Sequence, residues 1–446
     1  MNKVFIIVVL VGLVSLDALA QQQWTLRQCM DYAIEHNINI KQQDNVRRQQ
    51  ELSLSTSRNS RLPDLSASAS ENYSFGRAQT LDGTYSNRNT NSTSFSIGTS
   101  VPLFTGFQIP NQIKLNQLNL EAATQDLEKA KNDIRMQVAQ AYVQILYNME
   151  IADVARRQVV IDSAQVKRLE AFVENGKASQ AQLSQQQATL AQAQLTATQA
   201  DNNLQLSILA LTQLLELPSP EGFSIVRPDN SSLFALHSSL PSPDAVYQEA
   251  LTIKPEVRAE QLRLSAADRS ISIAKAALYP KLYFNAGLQT NYYKTNYYKT
   301  NGMKAESFAS QMKNNFAQYL GVSLSVPIFN RFATRNSVRS ARIDRENRQL
   351  QFDLVRKTLY KEIQQVYYNA IAAGSKYESS KQAEQSSQDA FNLTQAKYEN
   401  GKASITEFNE AKNNYLKTES DLVQARYEYL YQTALLDFYR GRDLNF

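Results

Sequence analysis

Two hydrophobic periodicities alternate along this chain of 446 residues. In four segments apolar and polar residues take turns, which is the pattern of a β-strand with one apolar face. In the first of these segments Leu65, Ala67 and Ala69 alternate with serines. The polar positions of all four are nearly always Ser, Gly, Asn or Gln. The four segments predict two β-hairpins, at residues 64–103 and 281–328.

Each predicted strand has about ten to twelve residues, which is enough to cross a bilayer when tilted. The polar segments between paired strands, residues 76–90 and 291–314, predict exposed loops. Two hairpins of a soluble sandwich are the alternative, but the Ser, Gly, Asn and Gln faces favour a wet lumen. Four strands leave unpaired edges, which lipid does not tolerate, and a closed barrel needs about eight strands or more. We therefore expect other copies of the chain to complete a barrel.

Helical periodicity fills most of the remaining chain. Residues 26–60 and 242–277 each predict one helix ahead of a hairpin. Residues 107–173 and 332–398 are almost free of Gly and Pro, so each predicts a helix of about 100 Å at a rise of about 1.5 Å per residue. A returning helix follows each, with a repeated seventh position: Leu183, Leu190, Ala197, Leu204 and Leu211 in the first, and Phe408, Tyr415, Leu422, Tyr429 and Leu436 in the second. This spacing predicts antiparallel coiled-coil hairpins.

The second half of the chain repeats the first. The letters ENGKAS occur at residues 174–179 and again at 399–404, 225 positions later (399 − 174 = 225). VPLF at 101–104 and VPIF at 326–329 keep the same offset. A gapless repeat of this kind indicates an internal duplication. The chain is divided accordingly into a first repeat, a Pro-rich linker and a second repeat, at residues 21–216, 217–243 and 244–446.

ENGKAS lies where each long helix ends and its partner returns. Glycine stops a helix by taking left-handed backbone angles, and a serine at the start of the next helix supplies an N-cap. We therefore place the hairpin tips near Gly176 and Gly401. The same turn at both tips favours a shared docking role over an ordinary solvated turn. The residues assigned to docking are Gly176, Lys177, Ala178, Ser179, Gly401, Lys402, Ala403 and Ser404.

The N-terminus and the composition narrow the functional class. A basic residue, an apolar run and a small-x-small ending identify residues 1–20 as a cleaved signal peptide. The net charge of +5 is small and both signs are interspersed, so no nucleic-acid partner is expected. Cys29, His36 and His237 show no metal-ligand spacing, so we expect neither a metal nor another cofactor. No catalytic constellation stands out, and an enzyme is not expected.

The signal peptide, the duplicated unit, the paired strands ending in VP-hydrophobe-Phe, the Gly turns and the heptad helices together resemble the TolC family of outer-membrane efflux proteins. The resemblance covers residues 21–446. It implies an α+β membrane protein that forms a homotrimer. Four transmembrane β-strands per chain would build a twelve-stranded barrel in outer-membrane lipid, and the helical hairpins would build a periplasmic α-barrel. It also implies two partners in a Gram-negative bacterium: a periplasmic adaptor protein and an inner-membrane pump of the RND or ABC type.

The resemblance further implies a gate at the closed periplasmic end of the tunnel. The family's acidic gate positions correspond to Glu407 and Glu410, and its latch tyrosine corresponds to Tyr398. Two positions depart from the family pattern, because Ala403 stands where a basic latch residue is expected and Gln182 where an acidic residue is expected. A solvated helix face is the alternative for the two glutamates.

The glycine pair that often follows the VPLF-type motif in this family is kept only in part. Gly106 occupies this position in the first copy and Arg331 in the second.

These features predict the exit duct of a tripartite efflux or secretion system, through which cargo passes passively across the periplasm and the outer membrane. A coiled-coil envelope scaffold is one alternative, but a scaffold has no use for a polar lumen. A stand-alone porin is another, but a porin has no use for hairpins of about 100 Å. The sequence does not identify the cargo.

Overall fold

A computed structural model describes residues 23–79, 83–87, 89–228, 240–295 and 306–444. The predicted signal peptide and His237 lie outside these residues. The chain divides into two compact units. The first unit comprises residues 1–45, 124–258 and 353–446, and the second comprises residues 46–123 and 259–352.

Helices make up most of the described chain. In chain order the elements are β1 (Gln23–Trp24), α1 (Leu26–His36), α2 (Ile38–Asn59), β2 (Ser66–Ser74), β3 (Arg77–Gln79), β4 (Tyr85–Asn87), β5 (Thr90–Phe104), α3 (Gln108–Glu174), α4 (Gln180–Leu214), β6 (Ser224–Ile225), α5 (Pro243–Ile253), α6 (Pro255–Ala276), β7 (Lys281–Thr295), α7 (Phe308–Asn314), β8 (Ala317–Ser325), α8 (Ala333–Glu399) and α9 (Ile405–Tyr439). None of the described helices carries an apolar stretch of the length that a bilayer crossing requires.

The helix expected ahead of each hairpin is two helices. Asn37 separates α1 from α2, and Lys254 separates α5 from α6, both with extended backbone angles. Pro255 explains the second break, because a proline disfavours helical angles in the residue before it. Asn37 stabilises the first break, because its side-chain amide donates to the Leu214 carbonyl at 3.1 Å. The prediction of one continuous helix in each place was therefore wrong.

The four long strands form one antiparallel sheet in the second unit, in the order β2-β5-β7-β8. The two hairpins join through β5 and β7, which pair from Phe104 with Leu282 to Thr90 with Thr295. Within the described residues, β2 and β8 each pair on one side only. The two central strands have 15 residues each and extend beyond the predicted strand ends, whereas the outer two have 9.

The segments predicted to be plain loops contain regular structure, which corrects that expectation. Between β2 and β5, the short strands β3 and β4 pair with each other. Between β7 and β8, Ser307 caps the short helix α7. The Gln311 side chain of α7 accepts from the Tyr293 N–H at 2.9 Å and donates to the Tyr293 carbonyl at 3.1 Å. Tyr293 lies beyond the residues of β7 that pair with β8. The Gln311 side chain therefore supplies hydrogen bonds to β7 in a place where β8 does not reach.

The two faces of the sheet differ in polarity. On one face serine hydroxyls bind each other across strands, as Ser68 and Ser96 do at 2.7 Å. The other face presents exposed apolar side chains, among them Leu65, Ile97 and Leu320. The period-two alternation of the sequence places these two sets on opposite faces.

An aromatic ring lies over two glycines of the polar face. Tyr319 of β8 is paired with Gly287 of β7, which in turn is paired with Gly98 of β5. A Cβ at residue 287 would lie 2.7 Å from the Tyr319 ring, and a Cβ at residue 98 would lie 3.5 Å from its hydroxyl. The absence of side chains at these two positions therefore leaves the space that the ring occupies.

The core of the first unit surrounds a short parallel pair of strands. β1 pairs with β6, which lies in the predicted Pro-rich linker. Tyr142 of α3 holds this pair, because its hydroxyl hydrogen-bonds to the Val226 carbonyl at 2.7 Å and lies 3.2 Å from the Trp24 carbonyl. Cys29 is fully buried in the same core. Burial raises the pKa of the Cys29 thiol to about 12.

The predicted heptad positions of the returning helices point inward. Those that are buried are Leu183, Leu211, Phe408, Tyr429 and Leu436, and those that are half-buried are Leu190, Ala197, Leu204, Tyr415 and Leu422. Each returning helix thus packs along a narrow apolar seam.

We expect Cys29 to resist thiol reagents in the folded protein. The thiolate is the reactive form, and both burial and the raised pKa keep the thiol protonated and inaccessible at neutral pH. A maleimide should label Cys29 only after denaturation, as followed by mass spectrometry. A Lys177→Cys variant in a Cys29→Ser background, with its thiol at an exposed tip, should label at once. Rapid labelling of native Cys29 would contradict the buried core.

Candidate functional site

Both helical hairpins turn through the same hydrogen-bonded motif. In each turn the backbone N–H of a lysine donates to the carbonyl five residues before it, at 2.7 Å from Lys177 and 2.8 Å from Lys402. The preceding glycines, Gly176 and Gly401, have φ of 69° and 70°. Apart from the glycines and the residues next to them, no described atom lies within 4 Å of the place that a Cβ would take at either position. The left-handed backbone of this C-terminal motif, rather than lack of space, therefore requires glycine.

The returning helices begin with matching capping boxes. In the first, the Gln182 side chain accepts from the Ser179 N–H at 2.9 Å. In the second, the Glu407 carboxylate accepts from the Ser404 N–H at 2.7 Å and from its hydroxyl at 3.0 Å. These bonds, the backbone one first, lower the pKa of Glu407. Gln182, a departure from the family pattern in the sequence, thus fills the same structural place as Glu407.

The two predicted gate carboxylates have different surroundings. Glu407 is engaged by its own N-cap, whereas Glu410 is exposed and forms no hydrogen bond or ion pair with the rest of the described chain. A spacing of three residues makes the two side chains neighbours on one face of α9. Of these two carboxylates, that of Glu410 is the one without a partner in the described chain, so it is free to meet ions from solvent.

The other predicted docking residues lie around the two turns. Lys177 and Lys402 are exposed, and Ser179 and Ser404 are exposed caps. Ala178 and Ala403 are half-buried. Ala178 packs against the apolar cluster formed by Val166, Leu169 and Leu183.

Tyr398, the predicted latch tyrosine, is held between an aromatic ring and a cation. Its ring stacks on Phe408 with centroids 5.0 Å apart. The Arg168 guanidinium lies 5.1 Å from the Tyr398 centroid and donates to the Glu399 carbonyl at 3.3 Å. Burial raises the pKa of Tyr398, and Arg168 opposes this effect. Because Arg168 belongs to α3, it ties the first hairpin to the second turn.

A fully buried ion pair lies behind the tips. Lys412 of α9 donates to Asp162 of α3, and both side chains are 0% exposed. Gln186 of α4 donates to the same Asp162 oxygen at 3.1 Å, and Asn409 of α9 donates to Gln186 at 3.0 Å. This network joins three helices from two hairpins.

Two more ion pairs extend this contact along α3 and α9. Arg157 pairs with Glu419, and Arg426 pairs with Glu150, which also accepts from the Tyr427 hydroxyl at 2.6 Å. Burial is the main cause that raises the pKa of Glu419, and Arg157 opposes it. With the buried pair these contacts form an ion-pair ladder, whose α9 members are residues 412, 419 and 426. The ladder fixes the antiparallel register of α3 and α9.

Reasoning from the sequence missed both the ladder and Arg168. A charged residue on a helix is usually solvated, so a single one carries no signal of a partner. The spacing of the α9 members was the available signal, because Lys412, Glu419 and Arg426 recur at every seventh position and so share one face.

The sequence profile of the family described as "Outer membrane efflux protein" matches residues 30–216 and 246–442. The chain belongs to the outer membrane efflux protein family. This family consists of channels and efflux ducts rather than enzymes. Membership agrees with the outer-membrane location that the resemblance to the TolC family implied.

Individual relatives agree with this assignment. The chain is 25% identical over 234 residues to the pyoverdine export outer membrane protein OpmQ of Pseudomonas putida, a match that spans 51% of this chain and 44% of that relative. Its fold is similar to that of the CmeC outer membrane channel of Campylobacter jejuni (TM-score 0.78, 16% identity, 94% of this chain and 87% of that one). It is also similar to VceC of Vibrio cholerae (TM-score 0.74, 17% identity, 94% and 97%).

We expect the buried Lys412–Asp162 pair to be strongly coupled. Asp162→Asn or Lys412→Met alone should destabilise the first unit by about 3–5 kcal/mol, because each leaves a buried charge without its partner. The double variant Asp162→Asn/Lys412→Met should cost less than the sum of the two. Urea unfolding followed by circular dichroism measures all four corners of the cycle.

The matched control is the exposed pair Lys376–Glu428, whose side chains are 43% and 44% exposed. Lys376→Met should change the unfolding free energy by less than about 1 kcal/mol, because solvent screens such a pair. Equal effects of Lys412→Met and Lys376→Met on the free energy of unfolding would show that the buried pair contributes no more to stability than the exposed one.

Proposed function

We propose that three copies of this chain form the exit duct of a tripartite efflux system. The observation that carries this proposal is the four-stranded sheet, which has one hydroxyl-rich face and one exposed apolar face. Two of its strands are paired on one side only within the described residues. Three such sheets, joined edge to edge, would make a twelve-stranded barrel with a wet lumen and a lipid-facing exterior. Joining the edges would give hydrogen-bond partners to the backbone N–H and C=O groups of the edge strands, and lipid cannot supply such partners.

The helical hairpins would continue this barrel as a periplasmic tunnel. The α3–α4 hairpin and the α8–α9 hairpin have equal lengths, 67 and 35 residues in both cases. This equality and the shared 225-residue offset support the division into two repeats, at residues 21–216 and 244–446, with a linker at 217–243. Two similar hairpins per chain would give the trimer six similar tips.

The tips are the proposed docking surface for a periplasmic adaptor. Their two turns share the same backbone geometry and expose a lysine each, which supports recognition of both by one kind of partner site. The adaptor would link the duct to an inner-membrane pump of the RND or ABC type. That pump would supply the energy.

The name of the Pseudomonas putida relative concerns the export of pyoverdine. This makes small-molecule efflux the first cargo class to test for the present chain. A secreted polypeptide is the second. If the protein were instead a coiled-coil scaffold without transport, deletion of its gene would leave the export of both cargo classes unchanged.

Tip substitutions test the duct and its docking together. Gly176→Val/Gly401→Val should abolish export, because a β-branched residue is strained at left-handed angles and would reshape both turns. Gly176→Asn/Gly401→Asn should keep most export, because asparagine tolerates these angles. Accumulation of a fluorescent efflux substrate in a deletion strain complemented with each variant is the measurement.

Both tip variants should still migrate as trimers in detergent, with an intact β signal in circular dichroism. Normal export by the valine variant would remove the docking role. A stable monomer with an intact β signal, even for the unsubstituted chain, would remove the trimeric barrel.

The gate is the second part of the proposal, with Glu407, Glu410 and Tyr398 at the narrow end of the tunnel. Three copies of Glu410 around one axis would repel one another and attract cations. Glu410→Gln should therefore reduce block of single-channel current by multivalent cations added from the periplasmic side. Glu407→Gln should have the smaller effect, because its carboxylate is already engaged at the cap, as the amide of Gln182 is. Unchanged block in the double variant would assign both glutamates to ordinary helix surface.

A further inference from the structure

Four connections between strands and helices gather at one end of the sheet in the second unit. The strand register brings them together, because Phe104 at the end of β5 pairs with Leu282 at the start of β7. Lys281, also at the start of β7, pairs with Ser325 at the end of β8. We call these connections the sheet-end segments: residues 58–65, 104–108, 275–281 and 325–335.

The sheet-end segments carry an excess of positive charge. Their cations are Arg58, Arg61, Lys275, Lys281, Arg331 and Arg335. Five of these six side chains are exposed, and Lys281 is half-buried. Within the described parts of the chain, none of the six has a carboxylate within 4.0 Å. The single acid of these segments, Asp64, accepts from the Ser100 N–H at 2.6 Å.

Exposed apolar and aromatic side chains lie among these cations. Ile328 is 95% exposed and Phe329 is 70% exposed. Others of the same kind are Leu62, Phe107, Leu278 and Phe332. Aromatic residues next to cations, at the end of an apolar surface, are typical of the boundary between membrane and water. Arginine and lysine suit this boundary because their stems lie in apolar surroundings while the charge reaches the headgroups.

The backbone of Arg331 adds an independent observation. Its φ is 56°, in the left-handed region, where a non-glycine residue is strained. Its counterpart 225 positions earlier is Gly106, with φ 62°, where a Cβ would lie 2.5 Å from the Ala276 carbonyl oxygen. Glycine is thus required in the first copy, whereas the second copy keeps a strained arginine where glycine would relieve the strain. Residues with strained backbone angles cluster at functional sites, which supports a use for the exposed Arg331 side chain.

We propose that the six cations of the sheet-end segments bind the phosphate groups of anionic phospholipids in the periplasmic leaflet of the outer membrane. This inference rests on the proposed placement of the sheet in that membrane. A guanidinium donates two parallel hydrogen bonds to a phosphate, so the arginines would contribute most. Cations near an anionic membrane surface strengthen binding, and their effect falls off within a Debye length.

The test compares phosphatidylglycerol with phosphatidylcholine, presented in equal amounts to the purified full chain in a neutral detergent. Native mass spectrometry gives the ratio of the two lipids bound. The unsubstituted chain should prefer phosphatidylglycerol, and Arg331→Gly/Arg335→Gln should lower that preference by on the order of tenfold. Arg331→Gly alone should lower it while leaving the thermal midpoint unchanged or raised, because the strain is relieved. A purely structural role of Arg331 predicts no change in lipid preference.

Two controls separate charge at this place from charge in general. Arg331→Lys/Arg335→Lys should keep most of the preference. Lys361→Gln/Lys381→Gln, which removes two exposed cations farther along α8, should keep all of it. An equal fall in both charge-removing variants would overturn the site, as would an unchanged ratio in Arg331→Gly/Arg335→Gln. Displacement of phosphatidylglycerol by lipid A would overturn the choice of leaflet.

Flotation with phosphatidylcholine vesicles distinguishes failure of this inference from failure of the proposed function. If the unsubstituted chain does not float with vesicles after reconstitution, the membrane placement fails and the lipid site fails with it. If both the unsubstituted chain and the variants float but share one lipid preference, only the lipid site fails.

Discussion

The buried ion pair between Lys412 and Asp162 decides which faces of the two hairpins meet in the first unit. The heptad seams of α4 and α9 are narrow, so they hold each hairpin together without covering the sides of a 67-residue helix. Contact between the hairpins therefore depends on polar groups that match at one register. A slip of one helical turn, about 5.4 Å, would leave both charges unpaired away from water. The other two ion pairs of the ladder are more exposed to solvent. They form at the same register with a lower desolvation cost.

Much of the fold could be predicted from the sequence because its periodicities are long and regular. The alternation in the strands separated the serine face from the apolar face, and the two Gly turns were located at Gly176 and Gly401. Single residues that break a pattern were missed. Asn37 looks like any polar position of an amphipathic helix, and only its bond to the Leu214 carbonyl explains the break. Pro255 could have indicated the break at Lys254, but the prediction of one helix over residues 242–277 overlooked it.

The candidate site was harder to predict, for a physical reason. Positions such as Glu407 and Glu410 followed from resemblance, but their surroundings depend on which neighbour each side chain reaches. Glu407 reaches its own N-cap, and Glu410 reaches solvent. One partner of Tyr398, Arg168, comes from a helix more than 200 residues earlier in the chain, where it gave no sign of its role. Ion pairs between helices that are distant in the sequence hardly change the amino-acid composition, so composition does not reveal them.

The matching capping boxes have a consequence for the evolution of the tip sequence. An amide at Gln182 and a carboxylate at Glu407 accept the same bond from a serine N–H, so the turn folds equally with either residue. A glutamine codon becomes a glutamate codon by one nucleotide change. The charge of each tip can therefore change by one unit per chain, and by three in the proposed trimer, while the capping bond is kept. A substitution at this position could therefore be selected for a new cargo or a new partner while the capping bond is kept.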